Sequence, residues 1–79
     1  MKEAVWREKF AEKLLEKMNE KGYSQSKLAN KAKLTQPAIS NYLLGRSTPN
    51  VRAVINISHA LNCTIYELVD FGERVEPIV

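Results

Sequence analysis

The connection between two short predicted helices is the feature that most constrains how this chain folds. Ser24 stands at an N-cap position, where its hydroxyl can accept a hydrogen bond from a free backbone amide, and residues 25–32 follow as a helix. Thr35 caps the next helix, predicted over residues 36–44. Residues 33–34 leave room only for a sharp turn, so the two helices must cross steeply. The sequence therefore predicts a helix-turn-helix.

The apolar spacing of the first twenty residues predicts a longer helix before this motif. Large apolar residues recur at steps of four, with two more beside them, and these are Trp6, Phe10, Leu14 and Met18, with Ala11 and Leu15. We expect them to form one buried stripe. Gly22 ends this helix, since glycine readily adopts the left-handed conformation of a C-terminal cap.

Two more helices follow the motif. Asn50 is the N-cap of a helix predicted over residues 51–61, and its expected inward residues are Val51, Val54, Ile55, Ile57 and Leu61. Asn62 suits a left-handed residue at the end of this helix. Thr64 opens the last helix and is expected to form a capping box with Glu67, three residues on.

These five segments predict an all-α fold, a compact bundle of five short helices with the helix-turn-helix at helices two and three. At 79 residues the chain makes one domain, which we expect to span residues 1–71. Gly72 ends the fifth helix, and residues 72–79 form a short C-terminal tail. Apolar residues near the end favour a homodimer through the C-terminal part, with a disordered terminus as the alternative, and these residues are Phe71, Val75, Pro77, Ile78 and Val79.

Acidic residues are absent from the middle of the chain. Residues 22–63 hold five Lys or Arg and no Asp or Glu, whereas residues 1–21 are nearly neutral and residues 64–79 are net acidic. The net charge of +3 therefore hides a strongly cationic centre. A cationic surface is what binding to a polyanion requires. A solvated basic face without a ligand is the alternative interpretation.

Other function classes receive little support from the sequence. No apolar run approaches the length of a membrane span and no secretion signal is recognisable, so we expect no membrane partner and a cytoplasmic location. The single cysteine, Cys63, permits no internal disulfide. Together with His59 it supplies two potential ligands, too few for a zinc site, and no acid is evident to orient the two as a catalytic pair. We expect no metal, no cofactor and no enzymatic activity.

Capping, polar and apolar residues follow a characteristic order over most of the chain, roughly residues 8–71. The series comprises residues 22–25, 28–29, 34–36 and 39–42, then Gly45, Pro49, Val54, Ile57 and Leu61. It resembles the Cro/cI-type helix-turn-helix family, also called the XRE or lambda-repressor-like family. The resemblance implies a DNA-binding transcriptional regulator, which we interpret as a repressor. It also implies a homodimer on a double-stranded DNA operator with two half-sites.

The resemblance further implies which residues contact DNA. Four residues of the third helix match the positions that face the major groove in the family, and these are Gln36, Pro37, Ser40 and Asn41. A glutamine can bond adenine at N6 and N7 together, which suits the base contact expected of Gln36. Gln25 matches a family glutamine that contacts a phosphate and braces the first residue of the recognition helix.

Further phosphate contacts are expected from the basic centre. Arg46 directly follows the recognition helix, where the chain returns past the sugar-phosphate backbone, and Lys27 stands on the second helix. The backbone amides of Val51 and Arg52 open the fourth helix, and the start of a helix can hold a phosphate.

Two residues depart from the family pattern. Lys33 replaces the glycine usual in the turn, which predicts mild strain or an altered turn angle. Pro37 replaces a polar residue often used for base reading and leaves only apolar contact, for example with a thymine methyl group. The family also includes antitoxins, which neutralise a toxin partner and bind DNA secondarily. A protein-interaction module of that type is therefore the alternative function.

Overall fold

The computed structural model describes residues 2–70, which form five helices joined by short turns. They are α1 (Glu3–Lys21), α2 (Gln25–Ala32), α3 (Gln36–Leu43), α4 (Val51–Ala60) and α5 (Ile65–Val69). The predicted all-α, five-helix fold is confirmed. α3 and α4 each end one residue earlier than predicted, at C-cap residues Leu44 and Leu61. The predicted end of the last helix at Gly72 and the tail over residues 72–79 lie outside the described residues.

Side-chain caps start four of the helices. The side-chain oxygens of Ser24, Thr35 and Asn50 each accept a hydrogen bond from the backbone N–H three residues on. At α5 the Thr64 N–H donates to the Glu67 carboxylate at 2.7 Å, and the Glu67 N–H donates back to the Thr64 hydroxyl at 3.3 Å. Each cap satisfies an amide that the first turn of a helix leaves free. All four caps predicted from the sequence are confirmed.

Residues in the left-handed backbone region lie at the ends of four of the helices. Gly22 and Asn62, with φ of 68° and 51°, lie at the ends of α1 and α4 as predicted, Gly45, with φ of 69°, lies at the end of α3, and Lys33, with φ of 57°, ends α2. A side chain in this region costs about 1–2 kcal/mol. The turn still closes with a hydrogen bond from the Leu34 N–H to the Ala29 carbonyl at 2.9 Å. The turn therefore forms although the backbone of Lys33 is strained.

Replacing Lys33 with glycine is expected to stabilise the fold. Lys33→Gly removes the left-handed strain but makes the unfolded chain more flexible, so we expect the free energy of unfolding to rise by about 0.5–1 kcal/mol. Urea unfolding measures the change. Lys33→Ala is the matched control, because it removes the same charge and keeps the β-carbon. Equal unfolding midpoints for the two variants would contradict the assignment of strain.

The core lies where the inner faces of the five helices meet. Its largest fully buried side chains are Phe10, Leu14, Leu28, Ile39, Ile57, Leu61 and Leu68. Two predictions were wrong. Leu15, expected in the buried stripe of α1, is 51% exposed, and Val51, expected on the inward face of α4, is 75% exposed. Leu15 lies at the edge of its apolar stripe, and Val51 is the first residue of its helix, where neighbouring helices no longer cover it.

The packing of α3 leaves one of its faces open. Ile39 is fully buried on the opposite face, and the rings of Tyr42 and Phe10 meet edge to face with their centroids 6.3 Å apart. Trp6 of α1 stacks on Phe10 at a centroid distance of 5.3 Å. Aromatic contacts of this kind add to the stabilisation from apolar burial. α3 therefore rests on a firmly packed support, and its outer face is available for binding.

An ion pair joins α1 to α5. Lys17 Nζ lies 3.2 Å from the carboxylates of both Glu20 and Glu67. The pKa of Glu67 is lowered by its hydrogen bond from the Thr64 backbone and then by the one from Lys17. The pKa of Lys17 is raised, first by Glu20 and then by Glu67. The carboxylate that caps α5 is thus also the group that ties α5 to α1.

Candidate nucleic-acid interface

The outer face of α3 lines an open depression of about 440 Å³. The residues around it are Gln36, Pro37, Ser40, Asn41, Leu44 and Arg46. The four predicted base-contact residues therefore lie together, and the predicted phosphate contact Arg46 borders the same depression. Its lining offers amide and hydroxyl groups, one guanidinium and apolar carbon, without a carboxylate. Such a surface can exchange hydrogen bonds with base edges and also attract a phosphate.

The local sequence explains why these side chains point outward. Pro37 stands in the first turn of α3, where backbone amides have no intrahelical partner, so the proline does not interrupt the helix. Ile39 occupies the buried side, Asn41 two residues on points to the opposite side, and Gln36 is exposed as the first residue of the helix. The side chains of these two residues make no hydrogen bond to any other residue that the structure describes. Both amides are available to an external partner.

A tight turn after α3 brings Arg46 back to the depression. Gly45 has φ of 69°, and the Arg46 N–H donates to the Asn41 carbonyl at 2.9 Å. Glycine suits this position because the left-handed region is free of strain for a residue without a β-carbon. The Arg46 side chain is exposed. A cation therefore lies at the edge of a neutral hydrogen-bonding surface.

The start of α4 offers free backbone amides near a second cation. Asn50 caps the helix by accepting from the amide of Ala53. The amides of Val51 and Arg52 belong to the first turn and have no carbonyl partner within the helix. The positive end of the helix dipole lies at the same place, and the Arg52 side chain is exposed. This arrangement can bind an anionic oxygen.

The first turn of α2 carries the other two predicted phosphate contacts, Gln25 and Lys27. Gln25 is half-buried, and its side chain is not hydrogen-bonded to Gln36. Lys27 Nζ lies 4.6 Å from the centroid of the Tyr23 ring, and Lys31 Nζ lies 5.6 Å from it. Cation–π attraction thus gathers two ammonium groups near the start of α2. The predicted phosphate contacts are distributed over three places: the start of α2, the turn after α3 and the start of α4.

Sequence reasoning missed two features of this region. The first is the ring of Tyr23 as a shared neighbour of two lysines. Steps of four residues from Tyr23 to Lys27 and Lys31 were the available signal, because that spacing brings side chains to one side of a helix. The second is a hydrogen bond from Arg7 to the carbonyl of Gly45, 38 positions along the chain, for which the sequence gives no signal.

The rest of the described chain offers little support for catalysis, metal binding or a membrane span. His59 is exposed and Cys63 is half-buried, and burial raises the pKa of the Cys63 thiol. A protonated thiol is a poor nucleophile and a poor metal ligand. Within residues 2–70, no group of three His, Cys, Asp or Glu side chains could hold a metal ion. No helix in this range is long and apolar enough to cross a bilayer.

The order and spacing of these helices match a known family. A helix-turn-helix family model aligns with residues 14–68, from the middle of α1 into α5. The chain belongs to this helix-turn-helix family. The resemblance to Cro/cI-type proteins seen in the sequence is thereby confirmed.

Two similar proteins extend this comparison. The chain is 33% identical over 69 residues to the uncharacterized HTH-type transcriptional regulator YqaE of Bacillus subtilis (strain 168). That alignment covers 87% of this chain and 59% of YqaE, so the chain spans less than two thirds of that relative's length. The fold is similar to the crystal structure of the restriction-modification controller protein C.AhdI from Aeromonas hydrophila, with a TM-score of 0.76 and 26% identity. This similarity covers 78% of this chain and 94% of C.AhdI.

Proposed function

We propose that the protein is a sequence-specific, double-stranded DNA-binding transcriptional regulator that acts as a repressor. The observation that carries the proposal is the depression on α3, where Gln36, Ser40 and Asn41 meet Arg46 in a part of the sequence without acids. The description of YqaE as a transcriptional regulator supports the same function. The protein would act in the cytoplasm on DNA and would need no cofactor and no catalytic group.

In this proposal α3 enters the major groove, which is wide enough to admit a helix. The amide of Gln36 donates and accepts at once and so fits the N6 and N7 atoms of an adenine, and Asn41 offers the same chemistry. Ser40 adds a hydroxyl that can adapt to either a donor or an acceptor. Pro37 has no hydrogen-bonding side chain and would contact a thymine methyl group.

Phosphate contacts would fix the position of α3 without reading sequence. Arg46 lies beside the reading face, and the amides of Val51 and Arg52 would hold a second phosphate at the start of α4. Gln25 and Lys27 would contact the backbone from α2. Because Gln25 is not hydrogen-bonded to Gln36 in the structure, the bracing contact between them would form as DNA binds.

Affinity for DNA is expected to fall steeply as the salt concentration rises. Each phosphate contact releases bound counterions, so the logarithm of the affinity should fall by about 0.9 per tenfold rise in salt for every contact. Arg46→Ala should weaken binding to all sequences alike and reduce this slope by about one. Fluorescence anisotropy over a salt series measures both, and Lys13→Met on α1 is the matched control for loss of a cation. A wild-type slope near zero would rule out the proposed function.

We also propose that two copies bind an operator with two half-sites. An apolar groove of about 430 Å³ is formed by α1, the turn before α4, α4 itself and α5, and is lined by Trp6, Thr48, Pro49, Val51, Val54, Ile65 and Val69. Val51 is 75% exposed, and Tyr66, which follows Ile65, is 78% exposed. Large apolar side chains grouped on a surface favour burial against a partner.

The position of the groove, next to a proposed phosphate contact, favours a second copy of the chain as its partner. The groove begins at Val51, whose backbone amide is also a proposed phosphate contact. A partner seated there lies next to the same DNA and can present a second reading helix to the neighbouring half-site. A part for the tail in this dimer stays a prediction, since residues 71–79 lie outside the described residues.

A further inference from the structure

Arg7 of α1 reaches the turn that carries Arg46. Its Nε donates a hydrogen bond to the Gly45 carbonyl at 3.1 Å, in a half-buried position. The backbone of the turn lies close to α1 at this point, because a β-carbon on Gly45 would stand 3.9 Å from the Glu8 side chain and 4.0 Å from the Arg7 carbonyl. The carbonyl just before Arg46 is therefore fixed to the first helix.

Glu3, one helical turn before Arg7, makes a second tie to the same segment. Its carboxylate lies 3.9 Å from Arg7 Nη1 and also accepts a hydrogen bond from the Thr48 hydroxyl. The two ties hold residues 45 and 48, on either side of Arg46. The turn between α3 and α4 is thus tied at two points to one face of α1.

The Arg46 side chain points away from these ties. It is exposed and borders the depression on α3, while its own N–H donates back to Asn41. An anchored backbone leaves fewer conformations to be lost when a flexible side chain is ordered on a ligand. Arg7 and Glu3 need not touch DNA to affect binding, since they restrict where Arg46 can lie.

We propose that Arg7 is a positioning residue for phosphate recognition, acting with Glu3 and Thr48 to hold Arg46 at the edge of the reading face. The inference rests on the proposed DNA-binding function and on the phosphate contact of Arg46 within it. It adds a role for the start of α1, which contributes no residue to the depression itself.

A double-mutant cycle in DNA binding tests this role. Arg7→Met keeps most of the apolar stem but loses the hydrogen bond to Gly45 and the ion pair with Glu3. Affinity for any DNA duplex should therefore fall about two- to ten-fold without a change in sequence preference. In an Arg46→Ala background the same substitution should produce no further loss. The salt slope should stay unchanged in Arg7→Met, because ordering rather than a phosphate contact is removed, whereas it falls by about one in Arg46→Ala. Lys13→Met on the same helix should leave affinity unchanged.

Two further variants separate positioning from direct contact and from folding. Arg7→Lys keeps the charge and a donor for the Gly45 carbonyl, so it should lose less affinity than Arg7→Met, and a salt slope that falls by about one in Arg7→Met would indicate a direct phosphate contact and overturn the proposal. Thr48→Val removes the hydrogen bond to Glu3 at nearly constant shape and, on a duplex with one half-site, should show the same dependence on Arg46 even if Arg7→Met folds poorly; the single half-site is used because Thr48 also lines the apolar groove. Circular dichroism confirms that each variant is folded at the assay temperature.

The cycle also distinguishes this inference from the function on which it rests. If Arg46→Ala weakens binding and flattens the slope but Arg7→Met costs equal affinity in both backgrounds, the positioning role is wrong and the DNA interface stands. If wild-type protein binds duplex DNA with no salt dependence, the proposed function fails, and the positioning role fails with it.

Discussion

Replacing Ile65 and Tyr66 with glutamine should convert the protein from a dimer to a monomer and weaken its binding to a two-half-site operator about 100-fold or more. Joining two DNA-reading domains makes the second binding event intramolecular, and this raises overall affinity by about 10²–10⁴. Ile65 lines the apolar groove and is 41% exposed, and Tyr66, the next residue, is 78% exposed, so replacing them should barely disturb the fold. Glutamine adds no charge and therefore does not alter the electrostatic attraction to DNA.

Sedimentation equilibrium and titration of two DNA duplexes measure this prediction. The wild-type mass should be twice the 9.0 kDa of the chain, and the double variant should give the single-chain mass. Affinity for a duplex with one half-site should stay unchanged. Leu15→Gln is the matched control. Leu15 is also a large apolar residue with an exposed fraction of 51%, but it lies on α1 outside the groove.

Three results would contradict the proposed dimer. A double variant that keeps both the dimer mass and the operator affinity would place the interface elsewhere. An equal loss in Leu15→Gln would show a general effect of apolar surface. A wild-type protein that stays monomeric on and off the operator would favour the alternative in which the groove accepts a different protein, as expected of an antitoxin-type module.

The fold could be predicted from the sequence because its helix boundaries are encoded locally. Ser24, Thr35, Asn50 and Thr64 each begin a helix with a hydrogen bond to the residue three positions on, so each signal is complete within four residues. Apolar spacing then identified the inward faces. It failed at Leu15 and Val51, because an apolar residue at the edge of a pattern is buried only if a neighbouring helix reaches it. Whether a neighbouring helix reaches such a residue depends on packing between segments that are distant in the sequence.

The candidate site likewise has a part that local sequence patterns predict and a part that they do not. Helical periodicity places Pro37 and Asn41, two residues on either side of the buried Ile39, on the outer face of α3, and the Thr35 cap marks Gln36 as the first helical residue, so these positions were accessible from the sequence. The link between Arg7 and Gly45 joins two segments that come together only in the folded chain. No local pattern could indicate it. The residues proposed to touch DNA were therefore predictable, whereas those proposed to hold them in place were not.

Gln36→Ala is expected to remove sequence preference at one base pair while leaving non-specific binding intact. Loss of a bidentate contact to adenine should reduce affinity for the preferred site by about 1–3 kcal/mol, which is roughly five- to 150-fold. The fold should not suffer, because Gln36 is exposed at the start of α3 and alanine is a favourable helix residue. Selection of binding sites from random DNA, followed by titration of preferred and unrelated duplexes, measures both quantities.

Two variants make the interpretation specific. Asn19→Ala on the exposed surface of α1 removes a comparable amide away from the depression and should change neither quantity. Gln25→Ala should relax the preference at the same base pair and also weaken binding to unrelated DNA, because its proposed role combines a phosphate contact with bracing Gln36. If Gln36→Ala selects the same sites as the wild type, α3 does not read bases through its first residue. Any remaining preference would then have to come from Ser40, Asn41 or the shape of the DNA.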